Sequence, residues 1–295
     1  MQTVADVTAG YLKRCGGQLM LKRILSGFVY GVVFLFLVYL GGIWLTIALG
    51  ALFLMGTFEF WRLCRQRSFA FRLEIPAAIG LALLIAVHLA TNRTDSSRGI
   101  HSGESLLALL PVLLLLISSL HVLGRGESTS ATGTAALTVL AGVYIALPPA
   151  YMIMLRALPG ANGCRYFLLL IIATWANDSA AYFVGSVFGR HKLAPSISPK
   201  KSVEGSLAGL FASGLTGLII ALIWVKSISL FLLLGFAIGI AGQIGDLFES
   251  ILKRDLGVKD SGSIMPGHGG VLDRFDSLMF AAPVLYYILT YLVAA

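Results

Sequence analysis

Apolar runs of about twenty residues, broken by short polar segments, repeat along this chain from end to end. Nine such runs lie at approximately 25–40, 42–61, 73–91, 105–123, 134–155, 166–187, 206–225, 227–252 and 275–294. A hydrocarbon core about 30 Å thick requires about 20 residues of helix rising roughly 1.5 Å each, which is the length these runs supply. Backbone immersed in lipid must satisfy its own hydrogen bonds, and no recurring two-residue alternation points to a barrel. The pattern therefore predicts an all-α, polytopic bundle of about nine transmembrane helices. Composition agrees: of 295 residues 57% are hydrophobic and 12% charged, against about 25% charged in soluble domains. Almost nothing is left over for a soluble domain.

Charge sets the orientation of this bundle. Of the 22 Lys and Arg residues, 17 fall on the side holding the N-terminus, the Arg62 to Arg72 loop, Arg125, the Arg190 to Lys201 loop and the Lys253 to Arg274 loop. The remaining 5 are Arg93, Arg98, Arg156, Arg165 and Lys226, in the alternate connections. Cytoplasmic loops carry the positive excess, so the N-terminus is expected inside and the C-terminus outside. The net charge of +8 is thus mostly a topology signal, spread over short loops, and no nucleic-acid partner is expected. Residues 1–24 carry Lys13, Arg14, Lys22 and Arg23. The run after them is too long for a signal-peptide core and lacks an evident cleavage site, so it reads as a retained first span. Cys15, Cys64 and Cys164 are widely separated and have neither a disulfide pattern nor metal-ligand spacing.

The polar residues divide the chain. Residues 1–160, about five spans, read as scaffold: Glu59 sits three residues before Arg62, within pairing reach on one helix face, and His88 and His121 are lone imidazoles in apolar runs. Residues 161–295, about four spans and two cytoplasmic loops, carry the chemistry. Asp178, Asp246 and Glu249 fall inside predicted spans, where an ionisable group is costly and points to function. At roughly 1.5 Å per residue Asp178 lies roughly 14 Å and Asp246 roughly 9 Å from the inner ends of their spans. Asp246, Glu249, Ser250 and Lys253 recur at three- and four-residue spacing and share a helix face. Gly235, Gly239 and Gly242 on the same span mark a close helix contact.

Two loops adjoin these carboxylates: GRHKLAPSISPKKSVEG (189–205) and KRDLGVKDSGSIMPGHGGVLDR (253–274). Carboxylates flanked by Lys and Arg at the mouth of a wet recess suit a divalent cation and a polyphosphate. Magnesium takes one or two carboxylates together with waters and phosphate oxygens, and basic side chains neutralise the remaining phosphate charge. Gly267, Gly269 and Gly270 allow backbone N–H groups to approach an anion. Asp273 and Asp276 open the last span, where negative charge also complements the helix dipole.

The run SILKRDLGVKDSGSIMPGHGGVLDRFD (250–276) closely resembles the signature of phosphatidate cytidylyltransferases, the CDP-diacylglycerol synthases. WANDSAAY (175–182), SPKKSVEG (198–205) and GDLFES (245–250) are similar to the same family, so the resemblance covers roughly residues 170–280. Met265 stands where the pattern usually has Leu, Ile or Phe, a volume-similar exchange. The resemblance implies a magnesium-dependent enzyme, with potassium as a second cation, that converts CTP and phosphatidic acid to CDP-diacylglycerol and pyrophosphate. It also implies a homodimer in the bacterial inner membrane with its active site facing the cytoplasm. On that basis Asp246, Asp273 and Asp276 are the expected metal ligands. Lys201, Lys253, Arg254, Lys259 and Arg274 would offset phosphate charge, and Asn177, Asp178, Ser198 and Asp260 would shape the substrate recess. His268 is expected to donate to a phosphate or assist the leaving group. A secondary transporter would instead use the buried carboxylates as an ion path, but its halves should show internal repeats, and none is evident. The D-G-x-x-A-R pattern of transferases that consume CDP-diacylglycerol is also missing.

Overall fold

The computed structural model describes residues 27, 29–66, 71–92, 96–125, 131–159, 162–262, 264 and 269–293. Its helices are α1 (Val29–Leu40), α2 (Gly42–Gln66), α3 (Glu74–Thr91), α4 (Ser96–Arg125), α5 (Ala131–Arg156) and α6 (Asn162–Phe188), followed after a short ribbon by α7 (Val203–Trp224), α8 (Ile228–Asp255) and α9 (Leu272–Tyr287). The basic residues at the N-terminus, Cys15, Met265, Gly267 and His268 lie outside the described residues. Among the described residues seven helices, α2 to α8, are long and apolar enough to cross a membrane. The chain is therefore an all-α integral membrane protein.

The first and last of the nine expected runs depart from regular α-helix. The described helix Val29–Leu40, about 18 Å long, ends where the backbone turns at Gly41 and Gly42, both with positive φ (64° and 52°). Arg156 at the end of α5 secures that turn, its Nε donating to the Val38 carbonyl at 2.8 Å and a terminal nitrogen to that of Tyr39 at 3.0 Å. At the other end α9 contains Pro283 and continues as a π-helix over Ile288–Val293.

The loop expected at 189–205 is more ordered than its composition implied. Lys192–Ala194 (β1) and Ser198–Ser202 (β2) form a two-stranded antiparallel ribbon with an irregular register. Pro195 and Pro199 exclude helix here, and a two-stranded ribbon has only edges, where a proline nitrogen without a proton is tolerated. Glu204 fastens the ribbon to α7: its carboxylate accepts from the His191 backbone N–H at 3.2 Å, and Oε1 lies 2.6 Å from His191 Nδ1.

Helices α6, α7, α8 and α9 pack in sequence, each mainly against the next, while α5 bridges them to α2, α3 and α4. The glycines on α8 explain the close approach. An added Cβ at Gly235 would lie 2.3 Å from the Ser213 carbonyl oxygen of α7, and one at Gly239 2.2 Å from Ser213 Oγ. Gly242 faces Ser277 of α9 instead, so the triplet expected to mark one contact serves two neighbours. One turn on, a Cβ at Gly245 would sit 2.5 Å from the Asp276 carbonyl oxygen, and that oxygen belongs to main chain that cannot swing away. Gly245→Ala is therefore expected to force α9 off α8. Overpacking of this kind costs about 1–3 kcal/mol, which should appear as a lower melting temperature in detergent; parental melting would mean that the helices separate freely. On α3, His88 is satisfied by Thr46 Oγ1 at 2.9 Å from Nδ1 and by Asn92 Nδ2 at 2.9 Å from Nε2.

Candidate active site

Carboxylates converge where α8 and α9 touch. Asp246 and Glu249, three residues apart, lie on one face of α8, and Asp276 lies in the second turn of α9, which Gly245 admits to contact. One oxygen from each of the three lies within 4.8 Å of the others. At an effective dielectric of about 20, unit charges at that separation repel by roughly 3 kcal/mol per pair. Something positive must balance them.

Two lysines do so in part. Lys201, at the end of the ribbon, places Nζ 2.6 Å from Asp246 Oδ2. Lys253, one turn beyond Glu249 on α8, pairs with Glu249 and lies 2.7 Å from Asp273 Oδ1. With Asp178, Asp260 and Asp273 the neighbourhood holds six carboxylates against four basic side chains, Lys201, Lys253, Lys259 and Arg274. Glu249 is 2% exposed, and its Oε1 is buried with no hydrogen-bond partner. A buried, unsatisfied carboxylate oxygen in an anionic cluster fits a metal cation, and an all-oxygen donor set suits a hard divalent one.

Asp273, expected among the ligands, has a different environment. Its Oδ1 accepts from Lys253, and its Oδ2 accepts from the backbone N–H groups of Ser261 and Gly270, both at 2.9 Å. Ser261 Oγ lies 3.0 Å from the same oxygen. Asp273 thus holds the signature loop onto α9 and orients Lys253. Gly269 makes this turn possible: its φ is +83°, and an added Cβ would lie 2.9 Å from Asp273 Oδ2.

Behind the loop stands a residue that sequence reasoning placed elsewhere. Glu59 of α2 was expected beside Arg62, yet its carboxylate accepts from Val271 N–H at 2.9 Å and Leu272 N–H at 3.1 Å. It therefore caps α9 from another helix, satisfying donors left free at a helix start and placing negative charge at the positive end of the dipole. Ser261 Oγ sits between the two anchors, 3.3 Å from Glu59 Oε2. Glu59 is 2% exposed. The signal available in sequence was a carboxylate inside an apolar run, but nothing there named its partner.

Two open recesses meet at the carboxylates. One, of about 550 Å³, is lined by Asp178, Asp246, Lys253, Asp273, Arg274 and Asp276, with Lys259 and Asp260 exposed at its rim. The second, of about 610 Å³, shares Asp178 and Asp246 and extends past Asn177, Tyr182, Lys192 and Lys200 under the ribbon. Asn177 is buried and fixed: Gln243 Nε2 donates to its Oδ1 at 2.9 Å, and its Nδ2 donates to Asp178 Oδ1 at 3.1 Å. Gln243 is held in turn by the Ser206 carbonyl and hydroxyl of α7. Gln243 and Ser206 also line the second recess, although neither was singled out in the sequence. Ser198 begins β2, and its neighbours from Pro199 to Ser202 reach the recess wall. Arg254 turns to the ribbon tip, donating to the carbonyls of Ile197 at 3.0 Å and Val258 at 3.1 Å. Of the expected site residues, the fold thus gathers Asn177, Asp178, Lys201, Asp246, Lys253, Lys259, Asp260, Asp273, Arg274 and Asp276 around one connected space.

An open recess lined by carboxylates and basic side chains, within a bundle of membrane-length helices, has the make-up of an enzyme active site. Residues 21–292 match the cytidylyltransferase family. The chain belongs to that family. It is 38% identical over 273 residues to the phosphatidate cytidylyltransferase of Bacillus subtilis, covering 92% of this chain and 97% of that one. It is 33% identical to the phosphatidate cytidylyltransferases of Synechocystis over 301 residues and of Staphylococcus epidermidis over 272, with 92% of this chain covered in each case and 97% and 99% of the relatives.

Proposed function

We infer that this chain is a CTP:phosphatidate cytidylyltransferase of phospholipid biosynthesis whose chemistry takes place in the joined recesses between α6, α8 and α9. The activity follows from family membership and from full-length relatives with that function. The observation that carries the site reading is the Asp246, Glu249 and Asp276 triad with its unsatisfied buried oxygen. Those three residues would hold a magnesium ion, and the excess carboxylate charge leaves room for potassium as a second cation. Bound there, magnesium would supply Lewis-acid stabilisation of charge on the nucleotide phosphates.

The chain's own groups do the rest. A phosphate oxygen of phosphatidate attacks the α-phosphorus of CTP, and the bond to the bridging oxygen of pyrophosphate breaks. The nucleophile is already anionic, so positioning and charge neutralisation outweigh proton transfer. Lys201 and Lys253, held at the carboxylates, present ammonium groups to the phosphates, while Arg274 and Lys259 widen the positive rim. Tyr182, 72% exposed in the second recess, offers an aromatic face to the base. Asp273 and Arg254 act by fixing the loop and the ribbon. Asp260 and Ser198 belong to the substrate rim, and His268 is assigned to the leaving phosphate.

The proposal extends to nine spans, with α1 and α9 completing the set, a cytoplasmic N-terminus, and a site facing the cytoplasm of a bacterial inner membrane. The 17 to 5 distribution of Lys and Arg supports that orientation. Residues 1–160 serve as scaffold and 161–295 as the catalytic region, and the enzyme works as a homodimer. The test is direct: detergent-purified protein given labelled CTP and phosphatidate should yield labelled lipid and pyrophosphate. Chelation of divalent cations should abolish turnover and magnesium should restore it; undiminished activity after chelation would exclude the metal assignment.

A further inference from the structure

We propose that an apolar slot between α1, α2, α6 and α9, with Arg274 at its mouth, holds one acyl chain of the lipid substrate. The inference rests on phosphatidate being the acceptor. The slot has a volume of about 380 Å³ and is walled by Phe34, Leu37, Ala51, Trp175, Phe275 and Leu278, among other apolar residues. Among the described residues Arg274 alone is common to this slot and the carboxylate recess. A lipid whose phosphate pairs with that guanidinium has its polar group beside Asp246 and Asp276 and its chain in the slot. Arginine suits such a boundary, since its stem lies on apolar surface while its head binds phosphate bidentately.

The direction of the slot supports a chain as its occupant. Leu278 lies one turn beyond Arg274 on α9, and Leu37 lies two turns beyond Tyr30 on α1, so the walls run lengthwise along the helices. A helix is about 10 Å across, too wide for so small a space, whereas a single hydrocarbon chain is not. Trp175 forms the far wall: an added Cβ at Gly31 of α1 would lie 3.3 Å from the tip of its ring. Trp175 belongs to α6, the helix that also carries Asn177 and Asp178. The slot and the nucleotide recess therefore share one rigid element.

Ala51 lines the slot with its side chain exposed, so Ala51→Trp narrows it without filling the protein core. Removing a few methylenes from apolar contact should raise KM for dioleoyl phosphatidate about tenfold, with KM for dihexanoyl phosphatidate and for CTP unchanged. Trp175→Ala widens the same slot and should shift selectivity about tenfold toward branched diphytanoyl phosphatidate over the dioleoyl lipid. That second variant keeps the test open if the first folds poorly. Equal effects on long- and short-chain lipids, or a changed oligomeric state with unchanged chain selectivity, would overturn the slot and favour a second copy or mere packing. A parent protein that converts neither lipid would overturn the activity beneath the proposal; a parent that converts both, with variants that treat them alike, would overturn the slot alone.

Discussion

Replacing Asp246 or Asp276 by Asn should lower CDP-diacylglycerol formation by about 10²–10³-fold, the range seen when a preorganised electrostatic contact to a transition state is lost. Both carboxylates meet at the α8–α9 contact with Glu249, and an amide there keeps the shape but removes the charge that a cation needs. Removing one of three mutually repelling anions relieves strain in the folded protein, so Asp276→Asn should melt in detergent at or above the parental value, whereas Asp246→Asn also gives up the Lys201 pair and should melt somewhat lower. In Asp276→Asn that combination, dead but stable, separates a functional cluster from a structural one. Glu249→Gln should lose activity to a similar degree while also loosening the Lys253 pair, and the magnesium concentration giving half-maximal residual activity should rise in all three. Asp273→Asn supplies the contrast: its carboxylate takes Lys253, Ser261 and Gly270 as partners, so its loss should lower the melting temperature and leave the magnesium midpoint in place. Near-normal turnover in both Asp246→Asn and Asp276→Asn would defeat the assignment.

The second large effect is expected far from the signature in sequence. Glu59→Ala strips the acceptor from the Val271 and Leu272 N–H groups, both buried. An unsatisfied buried donor costs about 1–3 kcal/mol, so loss of two should destabilise the bundle by about 2–6 kcal/mol and release the loop that Asp273 and Gly269 shape. Activity should fall with it, mostly in kcat, since the recess under the ribbon, proposed to take the nucleotide base, does not touch Glu59. Glu59→Gln retains acceptor oxygen for one donor and should recover part of the melting temperature. A Glu59→Ala protein with parental melting and turnover would mean that α9 needs no cap from α2.

The bundle was legible in the sequence because lipid makes burial simple. Each span must be apolar over about 20 residues, so the runs that became α2 to α8 could be counted without knowing their neighbours. The carboxylates stood out for the same reason: Asp178, Asp246 and Glu249 interrupt runs where a charge is expensive. Helical spacing put Asp246, Glu249 and Lys253 on one face, and that face is the one that meets α9.

Partners were not legible. That Glu249 joins Asp246 and Asp276 while Asp273 turns to Lys253 and Ser261 depends on the rotation of α9 against α8, which Gly245 permits. That Glu59 caps a helix more than two hundred residues away depends on α2 lying beside α9. The sequence by itself determined which segments are long and apolar enough to cross a membrane and which residue types are too costly to bury there without purpose, because those are local properties of the chain in its solvent. Only the tertiary structure decided which carboxylates cluster with one another and which accept hydrogen bonds from the loop and the start of α9, because two oxygens of the same chemistry differ only in what the packing brings within about 3 Å of them.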